Sequence, residues 1–363
     1  MTSDAAFMRQ ALAEGRRGLG RSSSPVGAVV VAGGRVVGRG FHCQDGAPHA
    51  EVMALRDAGV RARGATLYLT LEPCNHHGRT PPCTDAVRAA GIRRVVFAVH
   101  DPNPHVRGGG ALRLRRAGVQ VESGVEAEAG AELIAGFSSR VRRGLPLVTL
   151  KLAATLDGRI ATRSGAARWI TGPAARQLVH TWRNEMDVVM VGAGTVIADD
   201  PRLTCRVAGG RDPLRVVVDG RLRIPLGARV LTKKAARGTV VATVNANPRK
   251  QAAIQARGAE VLALPGRDGV FSLRRLLRRL AARGVNSVLL EGGATLAAAA
   301  LRERVVDRLA LFVAPKLIGG DGLAMIGSLG VRGMAAAPAV RITSIEPIGD
   351  DWLVRAEPER RRG

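Results

Sequence analysis

The chain has 363 residues, enough for two domains of ordinary size, and its 46% hydrophobic content is that of a folded protein rather than a disordered one. No apolar run approaches the roughly 18–20 residues that span a bilayer, and the N-terminus lacks the basic-then-apolar order of a secretory signal, so a cytoplasmic protein with no membrane partner is expected. The net charge of +25 is almost all arginine, but it is spread along the chain and aromatic residues are only 3%, which argues against nucleic acid and for an anionic small-molecule substrate.

The predicted elements alternate. Residues 4–18 have the spacing of an amphipathic helix. VGAVVVAGG (26–34) reads as a strand closed by a glycine turn, and VVGRGFH (36–42) returns as its hairpin partner. HAEVMALRDAG (49–59) is helical and ends on a glycine cap. TLYLTLEPC (66–74), RRVVFAVHDP (93–102) and VQVESG (119–124) are strands, separated by helices at DAVRAAG (85–91) and ALRLRRAG (111–118). SSRVRRGLPL (138–147) collects charge, glycine and proline, which puts a boundary near 145 and predicts domains over 1–145 and 146–363. Beyond it a strand starts at LVTLKLAATLDG, and others are predicted at 188–194, 214–220, 238–244 and 285–293. Helices are predicted at 272–283 and 294–303, and closing strands in 307–320 and 340–358. The densest basic run, RRLLRRLAAR (274–283), reads as one helix with a leucine face and solvated arginines. This alternation predicts α/β architecture.

The four cysteines, at 43, 74, 83 and 205, are poor disulfide candidates in a chain without a signal sequence. HAE (49–51) and EPCNHHGRTPPC (72–83) bring one imidazole, His49, and two thiolates, Cys74 and Cys83. Three such ligands leave a fourth zinc position open for water, whose pKa the metal lowers toward about 7. Glu51 is not needed as a ligand and is placed to move a proton from that water to a departing amine. His-x-Glu with a Pro-Cys element is the signature of the zinc deaminases. A structural site would need a fourth ligand, for which Cys43, His76 or His77 are available; the neighbouring Glu51 favours the catalytic reading. The cysteines are nine positions apart instead of three. The extra residues loop beside the metal and carry His76 and Arg79, both suited to a polar or anionic substrate.

With that insert, VGAVVV, HAE, EPCNHHGRTPPC and DPNPHVRGGG (101–110) resemble the deaminase half of the bifunctional riboflavin-biosynthesis deaminase–reductase family. The resemblance implies a cytidine-deaminase-like domain acting on 2,5-diamino-6-ribosylamino-4-pyrimidinone 5′-phosphate, with Asn103 and the glycines after it near the substrate. One departure is Ser23, in SSSPVG, where the family has an asparagine that holds the substrate.

In the second half, VVMVGAGT (188–195) and VLLEGGATL (288–296) are each a strand, glycines and a helix start, a pattern that lets a backbone approach phosphate; the full dinucleotide fingerprint is absent. KLAATLDGRIA (151–161), RWITG (168–172), VGAGTVIADDPRLTCR (191–206), EGGATL (291–296) and APKLIGG (314–320) are similar to the reductase half of the same family. The resemblance implies a dihydrofolate-reductase-like domain that uses NADPH to reduce the ribose to ribityl. It implies that Ala153, Trp169, Thr195 and Asp199 face the cofactor and that Gly293, Ala294 and Thr295 cradle its phosphates. It places Ala167 (serine in the family), Arg183, Leu203, Arg206 and Glu291 at the substrate, with Lys151 polarising the sugar oxygen. Arg221 is one candidate for the cofactor's 2′-phosphate. The resemblance runs from about residue 4 to 356, and it implies a homo-oligomer. Two other readings are an RNA base deaminase, which leaves the second half unexplained, and a working reductase with a deaminase impaired at Ser23.

Overall fold

The computed structural model describes residues 3–77, 81–104 and 109–359. The chain divides into two units, Met1–Leu145 and Pro146–Gly363.

The first unit opens with α1 (Asp4–Arg16), capped by the Ser3 hydroxyl, followed by the antiparallel hairpin β1 (Gly27–Ala32) and β2 (Arg35–Phe41). Then come α2 (Ala50–Ala58), β3 (Thr66–Leu71), α3 (Cys83–Ala89), β4 (Arg94–Val99), α4 (Gly109–Arg116) and β5 (Gln120–Ser123). The strands form one sheet, β2-β1-β3-β4-β5, in which β3, β4 and β5 run parallel. Both faces are covered, so β1 is apolar at every position. Ala28 and Val30 pack with Ala50, Ala54 and Leu114 on one face; Val29 and Val31 pack with Phe7, Met8 and Leu12 on the other. α2 lies close on β2 because Gly40 has no side chain: a β-carbon there would meet the Ala50 carbonyl at 2.4 Å.

Two further helices, α5 (Ala127–Leu133) and α6 (Ala135–Arg143), occupy a stretch whose second half reads in sequence as a charged boundary. They are short, and tertiary burial of Leu133 and Ile134 in the two cores holds them rather than a continuous apolar stripe.

The second unit begins with β6 (Leu147–Thr155) and β7 (Arg159–Ala161), then α7 (Pro173–Glu185), β8 (Val188–Gly192), α8 (Ala193–Asp199) and β9 (Leu214–Val218). It continues with α9 (Lys233–Ala236), β10 (Thr239–Thr243), α10 (Pro248–Gln255), β11 (Glu260–Ala263) and the small pair β12 (Gly266–Arg267) and β13 (Val270–Phe271). It closes with α11 (Leu273–Ala281), β14 (Ser287–Leu290), α12 (Ala294–Arg302), β15 (Arg308–Ala314), β16 (Leu323–Ala324), β17 (Val340–Ile348) and β18 (Asp351–Pro358). The main sheet has nine strands in the order β11-β10-β9-β8-β14-β6-β15-β18-β17, parallel from β11 to β15. α11 buries Leu273, Leu276, Leu277 and Leu280 and exposes Arg275, Arg278 and Arg279, as its spacing predicts. The predicted strand over 188–194 ends at Gly192, so Gly194 and Thr195 belong to α8, and the predicted strand over 307–320 covers only 308–314. No helix among the described residues is long and apolar enough to cross a membrane.

Candidate active sites

In the first unit, His49 immediately precedes α2, Cys74 follows β3, and Cys83 opens α3, which packs beside α2. The three ligand atoms lie within 4.8 Å of one another. His49 Nδ1 is 3.2 Å from Cys83 Sγ and 3.6 Å from Cys74 Sγ. Cys74 is drawn onto α3 from two sides: its Sγ accepts from the Cys83 N–H at 3.4 Å and its carbonyl from the Thr84 N–H at 3.3 Å. Asn75 continues the clamp, accepting from Thr84 Oγ1 and from Arg113.

The electrostatics suit a cation. The hydrogen bond from Cys83 holds the Cys74 thiol well below its usual value, while that bond and burial push Cys83 up, so one proton serves two sulfurs. The bond to Cys74 raises His49. A divalent cation takes the place of such protons, and an N/S/S donor set matches zinc. Glu51, in the first turn of α2, is buried; burial, then the nearby Cys74, push its carboxyl up to about 7. Among the described residues no other trio of histidine, cysteine or carboxylate side chains gathers this way.

The surrounding wall includes residues that motif reading missed. Glu72 is buried and joins three elements: it accepts from the Ala111 N–H of α4 at 3.1 Å, pairs with His100 at 2.9 Å, and leads directly to Cys74. His42, also buried, sits edge-on to His49 with ring centres 5.2 Å apart and contacts Ser24. Its signal in sequence is only a histidine at a strand end. Asp101, raised by burial, feels both His76 and Cys74, and its carboxylate accepts from the Asn103 N–H at 2.8 Å, so both sequence candidates His76 and Asn103 lie at this rim. The Ser23 N–H donates to Asp45 and its carbonyl accepts from Arg140. Arg79 lies outside the described residues.

In the second unit a cavity of about 840 Å³ opens at the C-terminal ends of β6, β8 and β14, where β14 is inserted between its neighbours. Lys151, Ala153, Ala167, Trp169, Arg183, Thr195, Asp199, Leu203, Arg206, Glu291 and Gly293 all line it. Ala294 and Thr295 follow in the first turn of α12 and are not among the lining residues. Arg221 is not among them either and donates to the Asp268 carbonyl.

Glu291 is gripped by Arg183 through hydrogen bonds of 2.7 and 2.8 Å. Burial opposes ionisation of Glu291, but the Arg183 charge holds its carboxyl below the usual value. Burial pulls the Lys151 ammonium down, and Glu291 partly restores it. Leu203 takes a φ of 53°, a left-handed conformation that costs a residue with a β-carbon. Trp169 is 63% exposed and carries Arg176 over its ring at 4.5 Å, so it is not a core residue. His180 also lines the cavity, one turn before Arg183 on α7; the sequence reading predicts no helix over 173–185, so it does not place the two on one face. The residues fit a dinucleotide. α8 and α12 both start at the cavity after adjacent parallel strands, and a β-carbon on Gly293 would stand 3.7 Å from Thr195 Oγ1, filling the space between them.

One chain thus combines a hydrolytic metal site of the deaminase kind with a nucleotide cavity on a parallel sheet, the arrangement of a bifunctional deaminase–reductase. Residues 1–99 match the family described as "Cytidine and deoxycytidylate deaminase zinc-binding region" and residues 146–354 match "RibD C-terminal domain". The chain is 43% identical to riboflavin biosynthesis protein RibD of Aquifex aeolicus, covering 97% of both chains, and 39% identical to that of Escherichia coli, covering 96% of this chain and 97% of that one. The solved structure of Acinetobacter baumannii RibD superposes with a TM-score of 0.88 at 38% identity, covering 98% of this chain and 99% of that one. A Thermotoga maritima structure described as a diaminohydroxyphosphoribosylaminopyrimidine deaminase/5-amino-6-(5-phosphoribosylamino)uracil reductase gives 0.86 at 38% identity over 98% of each chain. The chain belongs to the RibD family: it is a bifunctional deaminase and reductase of riboflavin biosynthesis, with zinc and NADPH as cofactors. The similarity accounts for both halves, so the RNA-deaminase and reductase-only readings are not favoured.

Proposed function

We propose that residues 1–145 hydrolyse the 2-amino group of 2,5-diamino-6-ribosylamino-4-pyrimidinone 5′-phosphate and that residues 146–363 then reduce its ribose to ribityl, giving 5-amino-6-(5-phosphoribitylamino)uracil. The observation that carries the first step is the buried Glu51 beside the His49–Cys74–Cys83 cluster. His49, Cys74 and Cys83 would hold the zinc, which would supply a water acidic enough to ionise near neutrality. Glu51 takes a proton from the attacking water and passes it to the departing amine, which leaves as ammonia, and the water's second proton ends on the adjacent ring nitrogen as the ring carbon becomes a carbonyl. His76 and Asn103 line the entry for the substrate, and Arg79 meets its anionic part.

For the second step, NADPH bound in the cavity would supply the hydride that the anomeric carbon receives. The bond from that carbon to the ring oxygen breaks, and Lys151 gives the oxygen its proton; burial, which lowers its pKa, makes it the better acid. Arg183 and Glu291 orient the sugar, and Arg206 meets the 5′-phosphate together with the wall at Ala167 and Leu203. Ala153, Trp169, Thr195 and Asp199 face the cofactor, and the Gly293–Ala294–Thr295 turn meets its phosphates. The enzyme is cytoplasmic and a homo-oligomer. The exposed Val340, Ile342 and Ile345 on β17, an edge strand, support self-association.

The test supplies the diaminopyrimidinone ribosyl phosphate with and without NADPH and follows ammonia and NADPH separately. Ammonia without NADPH, then oxidation on its addition, is the expected result. Oxidation confined to pre-deaminated substrate would assign Ser23 to a failed deaminase.

A further inference from the structure

The wall of the second cavity formed by residues 167–171 has no regular secondary structure, and Trp169 stands largely in solvent. Burial in a core therefore does not fix this wall; long cationic side chains do. The Arg168 guanidinium donates to the Asp199 carbonyl at 2.9 Å, and Arg176 donates to the Thr171 carbonyl at 2.6 Å while covering the Trp169 ring. The centre of the wall is taken by a residue far away in sequence. Lys316 Nζ donates to the Trp169 carbonyl at 2.7 Å and to the Ile170 carbonyl at 2.9 Å.

Lys316 is itself held. It sits just past the end of β15, and its carbonyl accepts from the Leu156 N–H at 2.9 Å. Asp157, in the turn between β6 and β7, accepts from the Ile318 N–H at 3.1 Å, from the Gly319 N–H at 2.7 Å and from the Thr155 hydroxyl. On the far side, Arg159 donates to the Gly322 carbonyl and β16 pairs with β7. Residues 315–322 are thus a strap pinned at both ends to the β6–β7 turn, with one ammonium reaching across to the cavity wall.

We propose that Lys316 is a positioning residue of the reductase: through the strap anchored at Asp157 it fixes the Trp169–Ile170 backbone, and so sets the affinity of the cavity for NADPH. The inference rests on the reading that Trp169 faces the cofactor. An ammonium suits the task because it donates to two carbonyls at once and has no acceptor of its own.

The test compares native enzyme with Lys316→Met, Lys316→Arg, Asp157→Asn and Trp169→Ala. Two readouts are taken: amide hydrogen exchange of residues 168–171 and 318–319 in cofactor-free protein, and the Kd for NADPH by calorimetry. Ammonia release by the first unit reports intact folding there. Lys316→Met should speed exchange at 168–171 alone and raise the Kd about tenfold, and Lys316→Arg should restore both to within about threefold. Asp157→Asn should speed exchange at 318–319 as well as at 168–171, because it acts one link earlier. A native Kd and native exchange in Lys316→Met overturn the proposal. A native Kd in Lys316→Met with a weakened Kd in Trp169→Ala overturns it while leaving the cofactor reading standing. Native Kd values in both, with faster exchange in Lys316→Met, would overturn the cofactor reading itself and the proposal with it.

Discussion

Arg183 and Glu291, 108 residues apart in sequence, meet in two parallel hydrogen bonds of 2.7 and 2.8 Å, and Arg183 spends a third on the Thr204 carbonyl at 3.2 Å. The side chains are 14% and 9% exposed, so each charge depends on the other for its place in the cavity. Removing one partner leaves the other buried and uncompensated, which is costlier than never having had the pair.

Arg183→Met is therefore expected to destabilise the second unit by about 3 kcal/mol and abolish NADPH oxidation, while ammonia release continues. Urea denaturation followed by tryptophan emission, which comes from the second unit alone because Trp169, Trp182 and Trp352 all lie there, with the two assays run in parallel, checks this. The pair also carries a pH signature. Because the folded Glu291 carboxyl lies below its ordinary value of 4.5, its stabilisation is present in full above that pH and is lost as pH falls through the folded value. Arg183→Met should lack this acid-side loss.

Glu51→Gln keeps the shape of the side chain and removes its proton chemistry. Metal content by elemental analysis should stay near that of the native protein, and deamination should fall by about 10²–10⁴-fold. Reduction of deaminated substrate should be unchanged. Loss of metal along with activity would instead make Glu51 a ligand.

Zinc binding to metal-free protein must displace the proton shared by Cys74 and Cys83 and the one favoured on His49. Calorimetry in two buffers of different ionisation enthalpy should show at least one proton released per zinc near neutral pH. Affinity should fall as pH falls, since protons then compete for the same atoms. A chelator should stop ammonia release and leave NADPH oxidation with pre-deaminated substrate intact.

Gly110 packs so closely on the Pro73 carbonyl that a β-carbon there would meet it at 1.8 Å. Gly110→Ala must move either α4 or the segment that leads into Cys74, at a cost of about 1–3 kcal/mol. Zinc affinity, measured by competition with a chromogenic chelator, should drop, and ammonia release with it. An unchanged affinity would mean that the backbone yields on the α4 side alone.

Much of this protein is written locally. The hairpin of β1 and β2, the leucine face of α11 and the glycine-capped α2 follow from short-range periodicity and turn chemistry. The gathering of His49, Cys74 and Cys83 was legible too, because they stand at element ends whose order and spacing are visible along the chain. Local pattern is silent where the deciding interaction is remote. α5 and α6 lack a continuous apolar stripe and exist because Leu133 and Ile134 find two cores prepared by other elements. The insertion of β14 between β8 and β6, the grip of Arg183 on Glu291 and the reach of Lys316 to Trp169 join segments about a hundred residues or more apart. Periodicity states which face of a strand or helix is apolar. Which element that face meets, and hence which charges are paired and which carbonyls are held, is settled only when the whole sheet has closed its order and excluded water from the spaces between.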